Sequence, residues 1–221
     1  MMKTININKK IGGVLFAGLI MLSSCNDYLT TLPTDSLVSD GAISTPEDTK
    51  TALNGAYAGL ISARTDGDTY YYYGMDFLAR AEVGGDDTNK IGDRTENYYR
   101  FTYRQNNAPQ DLWYTPYAVI NRVNVLLNAI DNGDVPMTDV VKNSKGEALA
   151  IRALAHFNLL ITYGTPYLKD NGASLGVPVV KKVLTATDLP GRSTVAEGYQ
   201  AVLDDLSDAL GLINEEKNYG H

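Results

Sequence analysis

The sequence holds one cysteine, Cys25, one tryptophan, Trp113, and two histidines, His156 and His221, in 221 residues. A single thiol cannot close a disulfide within the chain, so the fold has to be held by core packing rather than by covalent staples. Cations are also in short supply: 19 Lys and Arg stand against 26 Asp and Glu, a formal charge of −7. A chain of that sign repels phosphate, which argues against nucleic acid and acidic lipid surfaces as partners. Two histidines far apart do not make a metal site, and neither a metal nor a cofactor is expected. HExxH and phosphate-cradling glycine loops are missing and the lone cysteine is not available as a nucleophile, so no catalytic residues are assigned and the protein is not expected to be an enzyme. The longest apolar run, Ile11 to Leu22, falls short of the roughly 20 residues that span a bilayer.

That short run follows Lys3, Lys9 and Lys10 and leads into Leu22, Ser23, Ser24 and Cys25. A basic leader, an apolar region of about 7 to 15 residues and a small-residue exit make an export signal. The Leu-small-small-Cys ending resembles that of a bacterial lipoprotein, which implies that the Cys25 sulfur carries diacylglycerol and its freed amine a further acyl chain. One acyl chain anchors marginally, at ~0.8 kcal/mol per buried methylene, whereas two or more anchor stably. Residues 1–24 are therefore expected to be removed, and 25–44 to form an extended tether. Losing three lysines and no acids takes the charge from −7 to −7 − 3 = −10.

The remainder, 45–221, is expected to be mainly α-helical. Thr45 is an N-cap, Pro46 suits the first helical position, and Glu47 and Asp48 favour the positive end of the helix dipole. Apolar pairs Ala52/Leu53, Ala56/Tyr57 and Leu60/Ile61 then recur every four residues. Residues 65–110 carry no helical stripe and read as long loops studded with tyrosine, a candidate functional region. In "DLWYTPYAVINRVNVLLNAID", Trp113, Tyr117, Ile120, Asn124 and Leu127 share a face; Pro116 predicts either a helix start at Thr115 or a kink. Trp113 is expected in the core. A turn around Pro136 leads to "TDVVKNSKGEALAIRALAHFNLLITYG", where Ala148, Ile151, Leu154, Ala155, Leu159 and Ile161 spread apolar side chains nearly all round, as in a central helix, and Gly164 is placed to cap its end. Arg152 and Asn124 within these faces are expected to bond between helices, because a buried polar group without a partner costs about 1–3 kcal/mol. After a connector at 165–192, Thr194 and Glu197 spell a capping box, and Tyr199, Val202, Leu206, Leu210 and Ile213 form a stripe with no further element to cover it. Arms 113–127, 147–163 and 194–213 fit irregular tetratricopeptide-like hairpins, and a stack that ends on an apolar face reads as truncated.

Four stretches in order, "LWYTPYAVINRVNVLL", "GEALAIRALAHFNLLITYGTPY", "GVPVV" and "LPGRSTVAEGYQAVLDDLSDAL", follow the lipoprotein-type cysteine. Together they closely resemble the amino-terminal part of SusD/RagB-family nutrient-uptake outer-membrane lipoproteins of Bacteroidetes. The resemblance implies an extracellular glycan-binding subunit that lies on a TonB-dependent SusC-like transporter, with its helical part against the barrel. Members are usually about twice as long, so part of the ligand face is expected to be missing here.

The resemblance also implies ligand contacts in the loops at 84–110. Tyr rings bury the apolar face of a pyranose while hydroxyl, Asp and Asn groups bond its hydroxyls. On that chemistry Tyr72, Tyr73, Asp86, Asp87, Asn89, Tyr98 and Tyr99 are the candidate ligand residues. "GGDDTNKIGD" is a poor calcium loop, because Ile91 and Tyr98 stand where oxygen ligands belong. Two other readings stay open: a tetratricopeptide-like adaptor that docks proteins and no sugar, and a glycan-cleaving lipoprotein.

Overall fold

Thr45 starts the first helix in the expected way: its hydroxyl accepts the Asp48 N–H at 3.2 Å, and the Asp48 carboxylate accepts the Thr45 N–H at 2.8 Å. This reciprocal pair satisfies two of the donors that every helix start leaves open. The computed structural model describes residues 41–61, 72, 73, 77, 82, 83, 85, 100, 102, 111–185 and 187–213, all within the unit Asp40–His221. Among them the helices are α1 (Pro46–Ile61), α2 (Asp111–Asp131), α3 (Asp139–Tyr163) and α4 (Val195–Leu210), with a 3-10 turn at Tyr167–Lys169. No helix among the described residues is long and apolar enough to cross a membrane. The expected leader and the expected acylation site Cys25 lie outside the described residues, as do Asp86, Asp87, Asn89, Tyr98, Tyr99 and all of the calcium-like loop but Gly85.

Two boundaries differ from expectation. α2 begins at Asp111, so Pro116 lies in its second turn rather than at its start; buried Leu112 and the tilted and edge-on rings against Trp113 hold the turn before it. α3 begins at Asp139, at the head of the stretch read from Thr138 but eight residues before the hairpin arm 147–163, where the Thr138 hydroxyl caps the Val141 N–H at 3.3 Å. Gly133, at φ +79, closes α2 in the left-handed region that glycine enters without strain.

Along α2 and α3 the pairs Asp131–Lys145, Asn124–Arg152 and Trp113–Tyr163 descend one helix as they climb the other, so the two are antiparallel. Arg152–Asp205 and Phe157–Tyr199 show the same for α3 and α4. α3 is thus the central helix, and α1 packs across both α2 and α3. The fold is mainly α, in tetratricopeptide-like hairpins. One core joins Leu53 and Ala56 to Val119, Val123, Leu126 and Ile151; another joins Ile120, Leu159 and Leu160 to Val177, Val180 and Val202. Each such Leu or Ile buried contributes about 1.5–3 kcal/mol.

α4 leaves its leucine stripe largely uncovered, as expected, although Val202 within it is buried. Its covered face is Val195, Gly198, Ala201, Val202, Asp205 and Ala209, whereas Leu206 and Leu210 are exposed. Small residues win because the backbones approach closely: a Cβ on Gly198 would sit 2.6 Å from Leu160 Cδ2. The Asp205–Arg152 pair lies on the same face, so the rotation of α4 about its axis follows the ion pair as well as hydrophobicity. The Thr194–Glu197 capping box forms as read from the sequence.

Candidate functional site

The connector after α3 shows how the polar residues of the helices are used. Its "GVPVV" stretch is extended but makes no sheet; the only ladder contact among the described residues is an isolated bridge from Leu175 to Thr194. Side chains supply the missing partners. The Asn124 amide donates to the carbonyls of Val180 at 3.2 Å and Lys182 at 2.9 Å, Tyr117 donates to Pro178 O at 2.9 Å, and Asn121 accepts from Leu184 N–H at 3.2 Å. His156 Nε2 accepts from the Val180 N–H at 3.0 Å, and its Nδ1 lies 3.1 Å from Arg152 O. With Nε2 accepting, the proton belongs on Nδ1, where it donates to that carbonyl. Burial lowers the pKa of His156 to about 4, so the ring stays neutral in this position.

Arg152 sits at the centre. Its Nε and Nη2 each donate at 2.8 Å to the two Asp205 oxygens, a bidentate fork, and Nη1 donates to Asn124 Oδ1 at 2.8 Å. Lys181 Nζ stands 3.5 Å from Asp205 as a second, looser cation. Arg152 and Asn124 thus bond between helices as their apolar settings required, and the network ties α2, α3, α4 and the connector together. Above it opens a cleft of about 570 Å³. Its cations are matched within the chain, Lys145 with Asp131 at 2.6 Å and Lys182 with Asp188 at 3.4 Å. Among the described residues no His, Cys, Asp and Glu cluster that could hold a metal occurs.

At the opposite end of the α2–α3 pair lies an aromatic cluster. Tyr72 and Tyr73 meet edge to face at 4.8 Å, with Phe77 5.7 Å from Tyr73. The Asn158 amide donates to both hydroxyls, to Tyr72 at 3.0 Å and to Tyr73 in a shorter bond. Tyr72 is only 3 % exposed and closes over the core, and its burial raises its hydroxyl pKa; Tyr73 is half-buried. Of the two candidate tyrosines described, then, Tyr72 serves packing, and Tyr73 retains an open edge. Trp113, expected in the core, is instead 37 % exposed, with Tyr117 and Tyr163 each 5.1 Å away, and Tyr114 beside it is exposed. Leu112 beside Trp113 is buried, so the first turn of α2 is covered on one side, and the indole lies on the other, on a shelf of rings.

Asn158, Tyr114 and Tyr163 did not stand out in the sequence. Asn158 carried a signal, an amide in the otherwise apolar "AHFNLL", but its partners come from 85 residues away and only the fold brings them together.

The described geometry has relatives. The SusD-like family described as "Starch-binding associating with outer membrane" matches residues 29–220. A SusD-like protein of Formosa agariphila is 28 % identical over 206 residues, 91 % of this chain and 37 % of its own length. Among solved structures, a SusD superfamily protein from Bacteroides vulgatus shares 33 % identity at a TM-score of 0.71, covering 81 % of this chain and 40 % of the other. A SusD-like carbohydrate binding protein from the same organism shares 25 % identity at a TM-score of 0.66, covering 81 % and 38 %. The chain therefore spans about two fifths of the length of these relatives. With the helical hairpins, the capping box and the family match all falling on the same residues, the chain belongs to the SusD-like family.

Proposed function

We propose that this chain is the helical portion of a non-catalytic, lipid-anchored protein of the outer-membrane surface that captures oligosaccharide and passes it to a TonB-dependent SusC-like transporter. The observation that carries this reading is the family match over residues 29–220, whose description couples starch binding to the outer membrane. The geometry supports it with a four-helix frame and two ring groups, Tyr73 with Phe77 and Trp113 with Tyr163, at the end where the tyrosine-rich 62–110 stretch leaves and rejoins the helices. Such rings offer flat apolar faces to a pyranose. Tyr73 is the favoured described contact; Asp86, Asp87, Asn89, Tyr98 and Tyr99 are proposed with it, and Cys25 is the proposed acylation site. Tethering to the membrane that holds the transporter lets a weak site work, because it raises the effective concentration of captured ligand.

The test is titration of the chain with a glycan panel while following Trp113 fluorescence and heat release. Saturable binding to one glycan class supports the reading, and silence across the panel with retained binding to a barrel partner supports the adaptor reading, which the exposed α4 leucines favour. Release of reducing ends would point to glycan cleavage. Labelled palmitate should enter the wild-type protein and be lost in Cys25→Ala.

A further inference from the structure

Three asparagines in the sequence are followed by glycine: Asn54–Gly55, Asn132–Gly133 and Asn171–Gly172. Asparagine is among the thermolabile residues, and glycine has no Cβ to keep its backbone nitrogen away from the amide carbon of the asparagine before it. How firmly the fold holds each pair then decides whether nitrogen and carbon meet, and the three are held very differently.

Asn54 and Gly55 lie in the middle of α1, and Arg122 Nη1 donates to the Gly55 carbonyl at 3.2 Å. Asn171 and Gly172 form a locked turn. Gly172 is buried, its N–H donates to Tyr167 O at 3.0 Å, and its carbonyl accepts from the Ala196 N–H at 2.9 Å. The Asp170 carboxylate pins the far side by accepting from the Ala173 and Ser174 N–H groups, each at 3.1 Å. Asn132 and Gly133 instead close the end of α2, where both are exposed between exposed Asp131 and Asp134. Backbone bonds shape the turn: Asn132 N–H to Asn128 O at 2.9 Å, Gly133 N–H to Ile130 O at 3.1 Å and Asp134 N–H to Ala129 O at 3.0 Å. Nothing lies within 4 Å of a Cβ built on Gly133, so the glycine has room to move. A helix end of this kind opens at far less cost than the whole fold.

We infer that Asn132 is a site of self-modification. The Gly133 backbone nitrogen gives its proton to solvent base and attacks Asn132 Cγ; as the new N–C bond closes a succinimide ring, the bond from Cγ to the amide nitrogen breaks and ammonia leaves. Water, the co-reactant, then adds to either ring carbonyl and reopens the ring, leaving aspartate or an isoaspartate whose backbone runs through the former side chain. Both products set a new carboxylate beside Asp131 and Asp134 at the negative end of the α2 dipole. Isoaspartate also lengthens the turn by one backbone carbon and breaks the register of the Asp134–Ala129 bond. The modification therefore loosens the turn that joins α2 to α3.

The purified chain is incubated in mildly alkaline buffer, once folded and once in urea, and the asparagines are followed by peptide mapping with fragmentation that separates aspartate from isoaspartate. In the folded chain Asn132 should convert several-fold faster than Asn54 and Asn171, and in urea the three rates should converge, because only the fold separates them. A folded chain in which Asn132 is as inert as Asn171, or in which Asn54 or Asn171 keeps pace with it, overturns the proposal. Hydrogen exchange on the modified fraction, isolated by its added charge, should show the Gly133 and Asp134 amides several-fold less protected than in the unmodified chain; equal protection overturns the claim that the turn loosens.

Discussion

Replacing Asp205 with alanine tests the claim that an ion pair positions α4. In the native chain Asp205 is 2 % exposed and takes both the Nε and Nη2 donors of Arg152, which is 6 % exposed. Removing the carboxylate leaves the guanidinium with Asn124 Oδ1 as its described acceptor, while Lys181 at the rim can still turn to Asp204. Breaking a buried pair on one side costs about 3–5 kcal/mol, because the remaining charge stays desolvated and uncompensated. At a slope of about 2 kcal/mol per M of urea, the unfolding midpoint of Asp205→Ala should fall by roughly 2 M. The double variant Arg152→Met, Asp205→Leu replaces both charges with apolar groups and should recover most of that loss, since such swaps are often neutral or better. Urea unfolding followed by circular dichroism measures all the arms, and the cycle with Arg152→Met alone isolates the coupling. A loss below about 1 kcal/mol in Asp205→Ala would mean that water reaches the guanidinium and that α4 is held by Gly198 and Val202 instead.

Three further outcomes follow from the same packing. His156 is neutral in the fold with a pKa near 4, below its ordinary 6.5, so unfolding takes up a proton between those values; stability should be full above pH 6.5 and fall by about 3 kcal/mol as pH drops toward 4. Proton NMR of the two histidines checks this, and a His156 midpoint at or above 6 refutes it. Gly172→Ala should cost about 2–4 kcal/mol, from a left-handed backbone and overpacking: its φ is +76, and a Cβ would lie 2.7 Å from the Tyr167 ring and 2.8 Å from Ala196 N. Gly191→Ala, with nothing within 4 Å of the added carbon, should leave the melting temperature unchanged in the same scan. Asn158→Leu removes the donor shared by Tyr72 and Tyr73 and should cost about 1–3 kcal/mol for the hydroxyl left buried; little change in thermal unfolding would show that Tyr72 finds water.

Local rules made several elements legible. Thr45 and Thr194 announce their helices because a cap depends on residues within three positions of itself, and Gly133 ends α2 for the same reason. The stripe Ile120, Asn124 and Leu127 marked the buried face of α2, and polar residues inside apolar stripes, Asn124 and Arg152, declared that partners had to exist. What those residues could not carry was the identity of the partners. Asp205 lies 53 residues from Arg152, and the Val180 N–H that caps His156 belongs to a connector with no periodicity of its own. The covered face of α4 went unread for a related reason: hydrophobicity ranks leucine above glycine and alanine, yet close helix approach selects the small residues. Trp113 was placed inside because a helical stripe records spacing and not which side of a turn the neighbouring elements cover.

The sequence by itself determined the helical class, the cap positions, the acidic charge balance and the lack of any disulfide between two of these residues, since each depends on composition or on residues a turn apart. Only the tertiary structure decided which face of α4 is covered, that Tyr72 is packed and Trp113 is on a shelf, and that a buried arginine joins three helices. Those outcomes depend on distances between groups far apart in the chain, and such distances exist only once the helices have packed.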